Sequence, residues 1–101
     1  MQHAEIVTDK NGGRSSRVSV RYDLIPAEVL DLVASIFCSG AETHGENNWR
    51  LMEPADVWNH LINHLMLWKQ GDQSENHLGN AACRAIMLCW LDNFKKDHTP
   101  S

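Results

Sequence analysis

Residues 77–95 read HLGNAACRAIMLCWLDNFK, and the fold turns on that stretch. Leu78, Ala82, Ala85, Leu88 and Cys89 recur at helical spacing, while Ile86, Met87, Trp90 and Leu91 spread apolar surface around more of the circumference. A helix that is apolar on more than one side is generally packed on more than one side. The spacing predicts a helix from Glu75 or His77 to Lys95, too apolar for three helices of one chain to cover, so a second copy is expected to complete the bundle. Upstream, PADVWNHLINHLMLWK (54–69) places Val57, Leu61, Leu65 and Trp68 on one stripe, widened by Ile62 and Met66. Pro54 suits the first turn, Glu53 and Asp56 suit its positive end, and Gly71 stops the helix after Lys69 or Gln70. Further upstream, Leu30, Val33, Ile36 and Phe37 mark a helix that follows Pro26, with Gly40 as its expected C-cap. Gly45 to Asn48 is a polar turn next to an anchoring Trp49.

Val18, Val20 and Tyr22 alternate with polar residues, a period-2 pattern that suits a short extended segment. Residues 1–17 are polar, with Asn11-Gly12-Gly13, and read as a flexible arm or turn-rich lead-in. The expected organisation is one all-α domain of three main helices over 18–96, with a tail at 97–101. One hundred and one residues allow a single domain, and 43% hydrophobic with 22% charged residues is a folding composition. The net charge of -4 disfavours a partner of duplex nucleic acid. No apolar run has membrane-spanning length and no signal segment is visible, so a cytoplasmic protein is expected. Cys38, Cys83 and Cys89 lack metal-type spacing and lie in apolar contexts, which reads as buried thiols in a reducing compartment.

Several polar groups stand where chemistry is possible. Glu28 and Asp31 are one helical turn apart on one face, a spacing that suits a hard cation and equally suits solvated acids near a helix N-terminus. Asp72 and Glu75 flank the short loop before the last helix, as caps or as a second acidic arm. His60 and His64 share a face, but Leu61 stands where a zinc protease needs its glutamate, so that class is excluded. His77, Asn80 and Arg84 form one polar stripe on an otherwise apolar helix. Either a protein network or a phosphate- and base-bearing ligand would satisfy it. Arg21, Tyr22 and Trp49 could hold phosphate and stack a base, or the aromatics could simply pack the end of the bundle. Gly-rich phosphate loops and a nucleophile elbow are absent.

Taken together, Arg21-Tyr22-Asp23-Leu24-Ile25-Pro26 with Glu28, Gly40-Ala41, Gly45, Asn48-Trp49, His64-Leu65, Trp68, Gly71, His77-Leu78 and Ala81-Ala82 resemble the phage-associated dATP/dGTP diphosphohydrolase-type small proteins. That family is similar to the all-α, MazG-like nucleotide pyrophosphohydrolases. The resemblance covers residues 18 to about 92. It implies dimers or tetramers, magnesium or manganese on helix-borne carboxylates, and cleavage of a purine deoxynucleoside triphosphate to monophosphate and pyrophosphate. For a phage-encoded chain the location would be the host cytoplasm.

On this chain the expected metal ligands are Glu28, Asp31, Asp72 and Glu75. Glu28, Asp31, His64 and His77 are the expected catalytic set, with the histidines assisting proton transfer. Arg21, Tyr22, Trp49, Asn80 and Arg84 are the expected nucleotide contacts. The chain departs from the family pattern where Asn80 replaces a second histidine, Arg84 replaces an asparagine, Thr43-His44 replaces Lys-Tyr, and the acidic loop shrinks to Gly71–Asn76. These changes leave open a non-catalytic nucleotide-binding protein that sequesters a host nucleotide signal.

Overall fold

The computed structural model describes residues 4–95. Residues 1–3 of the expected arm, Lys96 and the expected tail at 97–101 lie outside them. The described chain is mainly helical and holds three α-helices, preceded by a two-stranded hairpin.

Of the two expectations for the N-terminal stretch, the turn-rich lead-in is the one that matches: it forms a hairpin. Strand β1 (Ala4–Thr8) pairs antiparallel with β2 (Arg14–Val18), with Ile6 opposite Ser16. Asp9 builds the turn: its Oδ1 accepts from the backbone N–H of Asn11 and of Gly13, both at 2.9 Å, and Gly12 takes a φ of 84°. A side chain at Gly12 would be strained at that φ, so the Asn-Gly pair is what lets the chain reverse. The alternation predicted over 18–22 is cut short, because Tyr22–Leu24 coils into a 3-10 turn.

Helix α1 spans Ala27–His44, with Pro26 as its N-cap. It runs four residues past Gly40. Ala41 to His44 are compatible with a helix, and the chain leaves it only at Gly45, whose φ of 99° an L side chain rarely adopts. A second 3-10 turn, Asn48–Leu51, sets Trp49. Helix α2 spans Pro54–Lys69 and α3 spans His77–Asn93. The cap of α3 is Asn76 rather than Asp72 or Ser74: its Oδ1 accepts from the N–H of Gly79 at 2.8 Å.

Helix α3 is the spine, with α2 packed along one flank and α1 along another. Val33 of α1, Val57 of α2 and Cys83, Met87 and Leu91 of α3 form the core, closed at one end by Phe37, Trp49, Met52 and Trp90. Gly79 permits the closest approach, since a Cβ there would meet Ile36 Cδ1 at 2.8 Å. The thiol of Cys83 donates to the carbonyl of Val33. Ile36 over Gly79 and Val33 over Cys83 make α1 and α3 antiparallel.

Much apolar surface stays uncovered: Leu24, Ile25, Val29 and Leu30 around the start of α1, and Trp58, Met66 and Trp68 on α2. The expected burial of all three thiols is corrected, since Cys38 and Cys89 are exposed and only Cys83 is buried. Among the described residues, no helix is long and apolar enough to cross a membrane.

Candidate functional site

The candidate functional surface is a cleft of about 770 Å³ between the C-terminal half of α1, the turn carrying Trp49 and the first half of α3. Trp49, Met52, Glu75, Asn80, Cys83 and Arg84 reach it. Arg84 is half-buried there, and among the described residues the hydrogen-bond partners of its Nη1 are the thioether sulfurs of Met87 at 3.7 Å and Met52 at 3.9 Å. Thioethers are weak acceptors and carry no charge. Among the described residues no carboxylate pairs with this guanidinium. Asn80 donates from Nδ2 to Glu75 Oε1 at 3.2 Å and to the Asn76 carbonyl at 2.9 Å, which fixes its amide at the cleft edge.

Beside the cleft, a polar chain crosses from α2 to α3. Asp72 Oδ2 accepts from the Ser74 hydroxyl and from Nε2 of His77, each at 2.5 Å. His77, only 2% exposed, turns its Nδ1 toward Nδ1 of His64 at 3.0 Å. Glu75 Oε1 lies 3.9 Å from that His64 nitrogen. The hydrogen bond from His77, with help from Ser74, holds the Asp72 carboxyl down at about 2. An ionised carboxylate only accepts, so Nε2 of His77 carries a proton. Which of the two facing Nδ1 atoms donates to the other depends on the tautomers of the rings. Burial lowers the pKa of His64, Glu75 opposes that, and the charges of His77 and Arg84 add to the lowering. Burial pushes the Cys83 thiol up, which keeps it protonated and inert.

The expected residues divide into two groups. Trp49, Glu75, Asn80 and Arg84 share the cleft, and Asp72, His64 and His77 stand beside it. Trp49 is also a packing residue, edge-to-face with Phe37 at 6.1 Å and with Trp90 at 5.4 Å. Arg21 and Tyr22 do not line the cleft. Arg21 is engaged by Asp23, Nη2 to Oδ2 at 2.6 Å, on an exposed surface.

Glu28 and Asp31 are exposed and are not brought to Asp72 and Glu75. Along an antiparallel α1 they lie roughly 8–12 Å back from the Ile36–Gly79 contact, at 1.5 Å per residue. Among the described residues the one group that could hold a metal ion is His64, Glu75 and His77. The His64–His77 contact has no fixed spacing in sequence, although two histidines flanking one short helix-to-helix loop were its available signal.

This is a mainly helical scaffold with a cleft beside its central helix, into which Arg84 and Asn80 reach, and a carboxylate–histidine chain at its α2–α3 turn. The model of the family described as dATP/dGTP diphosphohydrolase, N-terminal, matches residues 9–100, and the chain belongs to that family. No curated protein and no solved structure matches the chain.

Proposed function

We propose that the protein is a metal-dependent pyrophosphohydrolase of nucleoside triphosphates, acting on purine deoxynucleotides. The observation that carries this is Arg84: a half-buried guanidinium facing a cleft, with only sulfur contacts. A triphosphate would give it the charge-assisted partner that it lacks. Asn80 would meet a base or ribose edge, and Trp49 would present its exposed part to the base.

Glu28 and Asp31 fit a hard cation, being one turn apart, exposed and without ion-pair partners among the described residues. Asp72 fits less well, because His77 and Ser74 already occupy its carboxylate. Since the acids do not converge within one chain, the reading places Glu28 and Asp31 opposite the acidic loop of a second copy. The apolar residues beside them, Val29 and Leu30, would be covered in that contact. Magnesium or manganese bound there would neutralise charge on the phosphate oxygens and orient water. His64 and His77 would hold and pass on the proton released by the attacking water, whose oxygen bonds to the α-phosphorus as pyrophosphate leaves.

A second reading is favoured by the same dispersal of acids and by Arg84 standing where the family pattern has an amide. In it the cleft binds a nucleotide without turning it over. Incubation with a panel of ribo-, deoxyribo- and cyclic nucleotides, with and without magnesium, followed by mass spectrometry, separates the two. Monophosphate and pyrophosphate formed only with metal support the enzyme, whereas retention of intact nucleotide supports the binder.

A further inference from the structure

We infer that His64, Glu75 and His77 form a binding site for one borderline divalent cation of the zinc class, separate from any magnesium held by carboxylates. The inference goes beyond the nucleotide-hydrolysis reading and does not rest on it; while the cation is bound it occupies the Nδ1 atoms, so His64 and His77 then act as ligands and not as proton carriers. Two imidazole nitrogens and one carboxylate oxygen are a zinc-type donor set, whereas magnesium prefers oxygen ligands and water. The three ligand atoms all lie within 4.8 Å of one another. The two Nδ1 atoms are 3.0 Å apart, against roughly 3.3 Å for two nitrogens on a tetrahedral zinc, so the rings need open only by a few tenths of an ångström.

The surrounding groups are arranged as outer partners of a metal site. A metal-bound histidine typically donates its other ring N–H to a carboxylate, which fixes the tautomer and aims the lone pair. Asp72 does this for His77. Asn80 holds Glu75 Oε1 in the same way that an outer ligand orients a coordinating carboxylate. His77 is fixed by burial, at 2% exposed, and His64 is half-buried on the facing helix, so the ligands come from rigid elements rather than a loose surface. A cation would displace the hydrogen between the two Nδ1 atoms: it moves through solvent to Nε2 of His64, both rings stay neutral with their hydrogen on Nε2, and both Nδ1 lone pairs turn to the ion. Glu75 also lines the cleft, so a fourth position left to water or ligand lies on that side.

The test uses the full chain, stripped with chelator and titrated with zinc by calorimetry and with cobalt by visible absorption. One zinc per chain is expected, with intense cobalt bands of a four-coordinate site and no displacement by millimolar magnesium. Asp72→Asn should weaken zinc roughly ten- to a hundred-fold, the usual effect of losing an outer-shell partner. His64→Ala should abolish the cobalt spectrum, and His60→Ala should leave it unchanged. Should His64→Ala fail to fold, Glu75→Gln, an exposed change, should still weaken zinc and alter the cobalt bands. Absence of stoichiometric zinc binding overturns the inference. So does binding that is indifferent to both Glu75→Gln and Asp72→Asn, or binding that His60→Ala removes.

Discussion

At the turn between α2 and α3, polar side chains meet one another: Asp72 takes Ser74 and His77, His77 takes His64, Glu75 takes Asn80, and Asn76 caps the helix. At the start of α1, Glu28 and Asp31 stand exposed among Leu24, Ile25, Val29 and Leu30, which are exposed too. The same residue types are thus closed into a network at one place and left open at the other. A closed network can be read from one chain. Open acids beside open apolar residues are where the proposed second copy would dock, and Arg84, without a carboxylate partner among the described residues, belongs with this open class.

The largest effect should come from the packed side of the comparison. Leu91→Ala removes a 2% exposed side chain from the core of the spine helix and should cost about 2–5 kcal/mol in urea unfolding. Leu30→Ala, at 59% exposed, should leave monomer stability nearly unchanged and instead weaken self-association in light scattering. A clean monomer at micromolar concentration, unaffected by Leu30→Ala, would break the proposed link between open surface and second copy.

Next in size is the network itself. His77→Leu should destabilise by about 1–3 kcal/mol, because a buried hydrogen-bonding group is lost and the facing His64 nitrogen is orphaned.

The pH profile sharpens the same point. The folded Asp72 carboxyl, at about 2, lies below its ordinary value of about 3.9, so its stabilisation is complete above pH 4 and is lost as pH falls toward 2. The lowered pKa of His64 has the same sign in a higher window. The unfolded chain takes up its proton below about pH 6.5, and metal-free stability falls from there through the lower folded value. Melting temperatures from pH 8 to pH 3 should therefore decline in two stages, and Asp72→Asn should flatten the lower one.

The smallest effect is expected at Arg21. Its ion pair with Asp23 is fully exposed, and Arg21→Ala should leave both melting temperature and nucleotide affinity unchanged.

Periodicity made α2 and α3 legible almost to their ends, because Pro54, Gly71 and the apolar stripes constrain the backbone locally. It stopped α1 too early at Gly40, since a glycine inside a helix and a glycine ending one look alike until φ is known, and Gly45 holds the positive φ. The hairpin escaped because β2 is mostly Arg and Ser and has no apolar alternation, although Asn11-Gly12 was its turn signal. At the site, the polar stripe His77, Asn80 and Arg84 was visible as a stripe, but it splits: His77 turns to the α2 side and Arg84 to the cleft. Which acids meet could not be read from spacing, because that depends on the direction of α1 across α3.

The central claim is that Arg84 is held open for an anionic nucleotide, and the most direct measurement is Arg84→Ala with both nucleotide affinity and the melting temperature of the free protein recorded. The account predicts purine deoxynucleoside triphosphate binding weakened by about 1.5–3 kcal/mol, the scale of a charge-assisted hydrogen bond, with the free protein as stable as before. A large loss of stability with unchanged affinity would contradict it and make Arg84 a structural residue.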